Sequence, residues 1–197
     1  MSHLEAVLSA ERRYTGCACG FDLRPNASQD VTGSKHAIHH LKWHQGLERP
    51  DTIPEGPMLL VNIHSSMAEK WLAYRMMTLH RDEAKADGYQ GIVVPVHPDH
   101  WHVRDIVVVA FDEGRAIAVA SLWEETPYAL KLNTLWVADG HRRRGIGTAL
   151  IQDIAEAFQT TPDKMEAEAP VAPEIYRIVD RLGMSKVVWC GSLRDPR

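Results

Sequence analysis

Three arginines, a glycine, one residue and a second glycine stand together in Arg142-Arg143-Arg144-Gly145-Ile146-Gly147. They lie directly ahead of Thr148 and a segment with Leu150, Ile151, Ile154 and Phe158 at helical spacing. A strand-like run ending in Trp136-Val137 precedes them. Strand, short loop and helix start together make an anion site, because the first amides of a helix have no intrahelical acceptor and the helix dipole adds partial positive charge there. Gly145 and Gly147 let successive N–H groups approach a ligand with no Cβ in the way, and the arginines add side-chain charge. The ligand implied is a phosphate or a pyrophosphate. A tight turn with solvated arginines is the simpler reading, which the flanking strand and amphipathic helix argue against. A nucleoside-triphosphate loop is excluded by the lack of Gly-x-x-x-x-Gly-Lys-Ser/Thr. A dinucleotide fingerprint is excluded by the missing third glycine and acidic residue.

A second chemistry-bearing stretch lies near the N-terminus, where Cys17 and Cys19 are followed by His36, His39, His40 and His44. Two thiolates and two imidazoles complete a closed tetrahedral zinc site, and histidines four apart share one helix face. Both His36/His40 and His40/His44 meet that spacing. One residue between the cysteines is tighter than the usual Cys-x-x-Cys, and a histidine-rich surface helix beside two free thiols is the competing reading. Zinc in such a short segment is structural, since too little apolar surface is available to hold it folded.

The elements that must position these residues come from a chain of 197 residues, enough for one full core and a small appendage. Hydrophobic residues make up 45% and charged residues 24%, the composition of a soluble globular protein. A net charge of -4 argues against a nucleic-acid binder, and the lack of a long apolar run or signal-peptide core argues against a membrane span or secretion. With three cysteines, a reducing cytoplasmic setting is expected. The Pro- and Gly-containing stretch Glu48 to Pro57 divides residues 1–50 from residues 51–197. Beyond it, "MLLVNI" reads as a strand, and Ser66 with Glu69 reads as a capping box. That box opens a helix with Ala68, Trp71, Leu72, Met76 and Leu79 on one stripe, ending near Asp87-Gly88. "DIVVVAF" and "AIAVASLW" flank the turn residues "DEGR", "YALKLNTLWV" adds a third strand, and helix, strand, helix and strand complete the chain. The order predicts an α+β fold with a mixed, mostly antiparallel sheet flanked by helices.

The Arg-x-x-Gly-x-Gly sequence at Arg142–Gly147, with this order of elements from Met58 onward, resembles the acetyl-CoA motif of the GNAT superfamily of N-acetyltransferases. The resemblance implies that the loop Arg142, Arg143, Arg144, Gly145, Ile146, Gly147 and Thr148 holds the pyrophosphate of acetyl-CoA. It also implies that Leu135, Trp136 and Val137 belong to a splayed strand whose backbone pairs with the pantetheine arm. The N-terminal stretch in turn resembles the zinc finger of the eukaryotic cohesin-acetylating acetyltransferases, through Cys19-Gly20, His36-x-x-x-His40, Trp43 and Gly46-Leu47. That resemblance selects Cys17, Cys19, His36 and His40 as the zinc ligands, with His44 in reserve. The Phe-Ser-x-Pro-Thr element of those enzymes has only "EAPVAP" as its counterpart, so their substrate does not carry over.

An attacking amine must lose a proton, so a base near the thioester is expected. The strand position where many such enzymes place a glutamate reads Lys131-Leu132-Asn133 here. Glu166 and Glu168, on one sheet face by period two, are the candidate bases, with a solvated face as the alternative. The family's tyrosine acid has Val179 at its position, and Tyr176, one turn earlier, is the candidate substitute. His97, His100 and His102 read as a polar loop, and Cys190 as a small buried hydrophobe. The expected activity is direct acetyl transfer to a primary amine of a protein lysine or a small molecule. A non-catalytic acyl-CoA sensor with a zinc-finger module is the rival, and turnover separates the two.

Overall fold

Glu113 and Gly114 have φ of 46° and 73°, the pair of left-handed residues that a two-residue hairpin loop requires. They join strands at the turn expected from "DEGR" and start the central hairpin. In the computed structural model, residues 2–8, 42–43, 45–86, 95–126, 129–169 and 173–188 are described. Among them, a seven-stranded sheet contains β1 (Leu47–Glu48), β2 (Met58–Val61), β3 (Asp105–Asp112), β4 (Arg115–Thr126), β5 (Ala129–Val137), β6 (Glu166–Ala169) and β7 (Ser185–Val188). The spatial order is β2-β3-β4-β5-β6-β7, with β1 paired to β4. Neighbours from β2 to β5 are antiparallel, whereas β5-β6 and β6-β7 are parallel. This is the expected α+β fold with a mixed sheet.

Helices cover both faces of the sheet, which is why β3 reads as an uninterrupted apolar run rather than an alternating one. Leu150, Ile151 and Ile154 of α3 (Ile146–Ala157) and Val179 of α4 (Pro173–Arg181) pack with Val108, Ala120 and Leu132 on one face. Leu72, Met76 and Met77 of α2 (Met67–Ala86) pack with Val107, Val109, Val119 and Trp136 on the other. The capping box at the start of α2 forms: the Ser66 amide donates to Glu69 Oε2 at 2.6 Å and the Glu69 amide donates to Ser66 Oγ at 3.3 Å. One member of the expected stripe is displaced. Leu72, Met76 and Leu79 are buried together with Ala73 and Met77, while Trp71 is 43% exposed. At about 100° per residue the buried arc centres on Leu72 and Met76, and Trp71 falls at its edge.

The expected segment 1–50 meets this core at both of its described ends. The amides of His3 and Leu4, at the start of α1 (His3–Leu8), donate to the buried carboxylate of Asp153 at 2.7 and 2.8 Å, and Leu4 is fully buried. At the other end, β1 occupies the edge of β4 beyond the last β5 rung, with Leu47 opposite Ala116. Gly46 makes this approach possible: its φ is 72°, and a Cβ there would stand 1.9 Å from the Ala116 carbonyl oxygen. Cys17, Cys19, His36, His40, His44 and Cys190 lie outside the described residues.

Candidate active site

The parting of two parallel strands organises the site. β5 pairs with β6 at Lys131–Glu166 and Leu132–Ala167, and β6 then continues beside β7 alone. The register of β5 against β4 shifts at the same point. Ser121 faces Thr134 and Leu122 faces Leu132, so Asn133 is an extra, bulged residue. A bulge bends its strand and raises the local twist, which carries Thr134 to Val137 away from β6. Beside the bulge, Ser121 Oγ and Thr134 Oγ1 are 2.9 Å apart. Among the described residues, Leu135, Trp136 and Val137 therefore form the part of β5 with β4 on one side and no β6 rung on the other.

Beyond Val137 the chain makes a short 3-10 turn at Asp139–His141 and reaches α3 through two left-handed residues, Arg143 at φ 61° and Gly145 at φ 84°. Gly145 is the N-cap, and no side chain caps the helix. The first intrahelical bond runs from the Ala149 amide to the Gly145 carbonyl at 3.0 Å, so the amides of Ile146, Gly147 and Thr148 precede it at the dipole's positive end. The two motif glycines differ in role. Gly145 supplies the left-handed turn. Gly147 is buried, and a Cβ there would meet Ile178 Cδ1 at 3.1 Å and Leu135 Cδ2 at 3.3 Å, so its smallness closes α3 onto α4 and β5.

The arginines also divide. Arg142 lies along the surface with every arm paired: its Nε donates to the Val137 carbonyl at 2.8 Å, its Nη2 to Glu83 Oε2 at 2.6 Å, and its Nη1 to Asp139 at 3.4 Å. Arg144 Nη1 lies 3.4 Å from Asp112 Oδ2 and 3.1 Å from His141 Nδ1. Arg143 is exposed. Sequence reasoning missed the acid that receives Arg142. Glu83 is 9% exposed and also accepts a hydrogen bond from the Trp136 indole. It sits in the charged run "HRDEAK", which reads as solvated. The overlooked signal is its place four residues after Leu79 and seven after Met76, on the buried stripe. His80, half-buried, stacks on Trp136 with ring centroids 6.5 Å apart. Burial first, and the Arg142 charge second, lower its pKa to about 4.

The two candidate bases occupy different settings. Leu132 and Ala167 are buried on the α3 face, so by alternation Lys131, Glu166 and Glu168 project from the α2 face. Lys131 Nζ lies 3.9 Å from Glu166 Oε2. Glu168 stands one rung further on, beside β7 rather than β5. Burial raises its carboxyl above the ordinary glutamate value, and Lys131 opposes that shift only in part. Tyr176 lies on α4 with Lys186 Nζ 5.0 Å above its ring, and Val179 is fully buried in the core, where no hydroxyl is available. The histidine-rich loop is locally organised. His97 Nδ1 accepts from the Asp99 amide at 3.3 Å, His102 Nδ1 accepts from the Arg104 amide at 3.2 Å, and the His102 ring stacks on Trp123. Among the described residues these histidines do not converge as metal ligands.

Comparison with known proteins adds a family. The model described as the acetyltransferase (GNAT) family matches residues 69–170, just over half of the chain. Among solved structures, the xEco2 acetyltransferase domain in complex with a CoA conjugate is similar at 10% identity, over 64% of this chain and 86% of that one, with a TM-score of 0.47. A ribosomal-protein-alanine N-acetyltransferase from Brucella melitensis biovar Abortus 2308 is similar at 19% identity, over 69% and 95%, with a TM-score of 0.45. An aminoglycoside acetyltransferase from an uncultured soil metagenomic sample is similar at 18% identity, over 66% and 92%, also at 0.45. A search of curated proteins gives no match. Among the described residues, no helix is long and apolar enough to cross a membrane.

Proposed function

The chain belongs to the acetyltransferase (GNAT) family, and from that premise we propose that this N-acetyltransferase moves an acetyl group from acetyl-CoA directly to a primary amine of a protein lysine or a small molecule. The observation that carries this reading is the parted strand pair. Among the described residues, β5 loses its β6 partner after Leu132 and runs on to a helix N-terminus that no side chain caps.

In this reading the amides of Gly145, Ile146, Gly147 and Thr148 take the pyrophosphate, with Arg143 as the exposed cation beside them. Arg142 and Arg144 hold the loop in shape through their carboxylate and carbonyl partners. The free side of Leu135, Trp136 and Val137 receives the pantetheine arm, and a backbone amide of that stretch polarises the thioester carbonyl. The amine nitrogen attacks the carbonyl carbon, the C–S bond breaks, and the acetyl group leaves on nitrogen. Glu168 takes the proton lost by the amine: a carboxyl raised by burial is a better match to that task than Glu166, which Lys131 pairs. Tyr176 is the candidate donor to the departing thiolate.

Thiol release from acetyl-CoA, measured against lysine peptides, polyamines, aminoglycosides and amino acids with mass spectrometry of each, tests the proposal. Gain of one acetyl group on one amine class supports it and names the acceptor class. Release without acetylation of any amine rejects it. A structural zinc at Cys17, Cys19, His36 and His40 is a separate proposal that rests on two thiolates and two imidazoles in a short stretch and on its resemblance to the zinc finger of the cohesin-acetylating acetyltransferases, with His44 in reserve. Purified protein is expected to hold about one equivalent of zinc, and metal analysis finding none removes the proposal.

A further inference from the structure

Glu83 is a charged side chain on the buried stripe of α2, where Leu72, Met76 and Leu79 occupy the comparable positions. A buried carboxylate is costly unless fully paired, and an apolar residue there would serve packing alone as well or better. The contacts of Glu83 point elsewhere. It accepts from the Trp136 indole and, at 2.6 Å, from Arg142 Nη2. The same guanidinium donates from Nε to the Val137 carbonyl at 2.8 Å. One helix residue thus fixes a side chain of β5, the strand's last carbonyl, and the start of the loop that leads to α3. A planar guanidinium holds its donors in a rigid fork, so one side chain fixes both acceptors relative to each other. The next residue, Arg143, is held at φ 61°, a conformation that a non-glycine side chain keeps only when its surroundings impose it.

We infer that Glu83 is a positioning residue for the cofactor loop, acting through Arg142 to set the loop against the end of β5. This rests on the proposed acetyl-CoA site, and the outcomes below separate the two. Glu83 touches neither substrate, and its effect is on the shape of the site that receives the pyrophosphate.

Calorimetric titration of the full chain with CoA provides the test, on wild type, Glu83→Gln, Arg142→Gln, the double variant and Asp82→Asn. Glu83→Gln and Arg142→Gln are each expected to weaken CoA binding about tenfold, and the double variant no further than either alone, because the pair acts as one unit. Asp82→Asn, at the neighbouring carboxylate of α2 that pairs with Arg81 at 3.0 Å, leaves the Arg142 pair in place and is expected to stay within about twofold of wild type. With an acceptor in hand, KM for acetyl-CoA rises in Glu83→Gln while kcat stays within about twofold, a split that general loss of stability does not produce. Unchanged CoA affinity in Glu83→Gln overturns the inference, and so do losses that multiply in the double variant. If Glu83→Gln does not fold, Arg142→Gln, altered at a partly exposed side chain, decides alone: wild-type affinity there overturns the inference. A wild-type chain that binds no CoA overturns the proposed site itself.

Discussion

Lys131 of β5 and Glu166 of β6 face each other as register partners on parallel strands, with Nζ 3.9 Å from the carboxylate. This ion pair stands at the rung just before the strands part. It ties up one of the two acids that sequence alone could not rank, and leaves Glu168 further along the same face with a raised pKa.

Replacement of Glu168 by Gln is expected to lower kcat about 10²-fold, and replacement of Glu166 by Gln to change it less than about threefold. The base must be ionised to accept a proton, so activity rises with pH through the Glu168 pKa. The Lys131 charge favours the ionised form; removing it in Lys131→Met moves the acid limb of the kcat/KM profile to higher pH. A limb that stays put, or moves down, counts against Glu168 as base.

The motif glycines separate in their effects. Gly145→Ala forces an alanine to φ 84°, at a cost of about 1–2 kcal/mol, and distorts the turn that aims the helix amides. CoA affinity is expected to drop with it. Gly147→Ala instead pushes a methyl against Ile178 and Leu135 side-chain ends, costing about 1 kcal/mol as those ends give way. Thermal midpoints and CoA titrations on both variants check the division.

His80 makes the fold acid-sensitive. Its folded pKa is lowered to about 4 from 6.5, by burial and then by Arg142. The unfolded chain therefore takes up a proton that the folded chain refuses between those values. Stability is fully present above pH 6.5 and falls as pH drops toward 4, by roughly 3 kcal/mol across the window. His80→Phe keeps a flat ring against Trp136 and removes this contribution. Urea midpoints at the two ends of the window should differ less in the variant than in wild type.

Gly46→Ala tests the seat of β1. Its Cβ would fall 1.9 Å from a backbone oxygen, which has no side-chain freedom to move aside. The expected loss exceeds about 3 kcal/mol, read from the denaturant midpoint, and a near-neutral effect would mean that β1 does not pair with β4 in solution.

Much of this was legible in order along the chain. Ser66 and Glu69 announce a helix start because a capping box is a local exchange of two hydrogen bonds. Asp112 to Arg115 announce a hairpin because a two-residue loop needs left-handed residues at its centre. Arg142 to Thr148 stand out because glycine and charge ahead of an apolar stripe are adjacent in sequence. Trp71 shares the helical period yet stays 43% exposed, since periodicity gives an arc and not its edges, and the edge is set by what packs across from it.

Local order along the chain thus carries the local devices: the elements, their succession, and a loop chemically suited to an anion. Tertiary structure alone decided which charges meet. Glu83 and Arg142 are 59 residues apart, Lys131 and Glu166 come together only when two strands align, and Gly147 has to be small only because α4 and β5 converge on it. These relations depend on distances across the fold between residues remote in sequence, and no local pattern encodes such a distance.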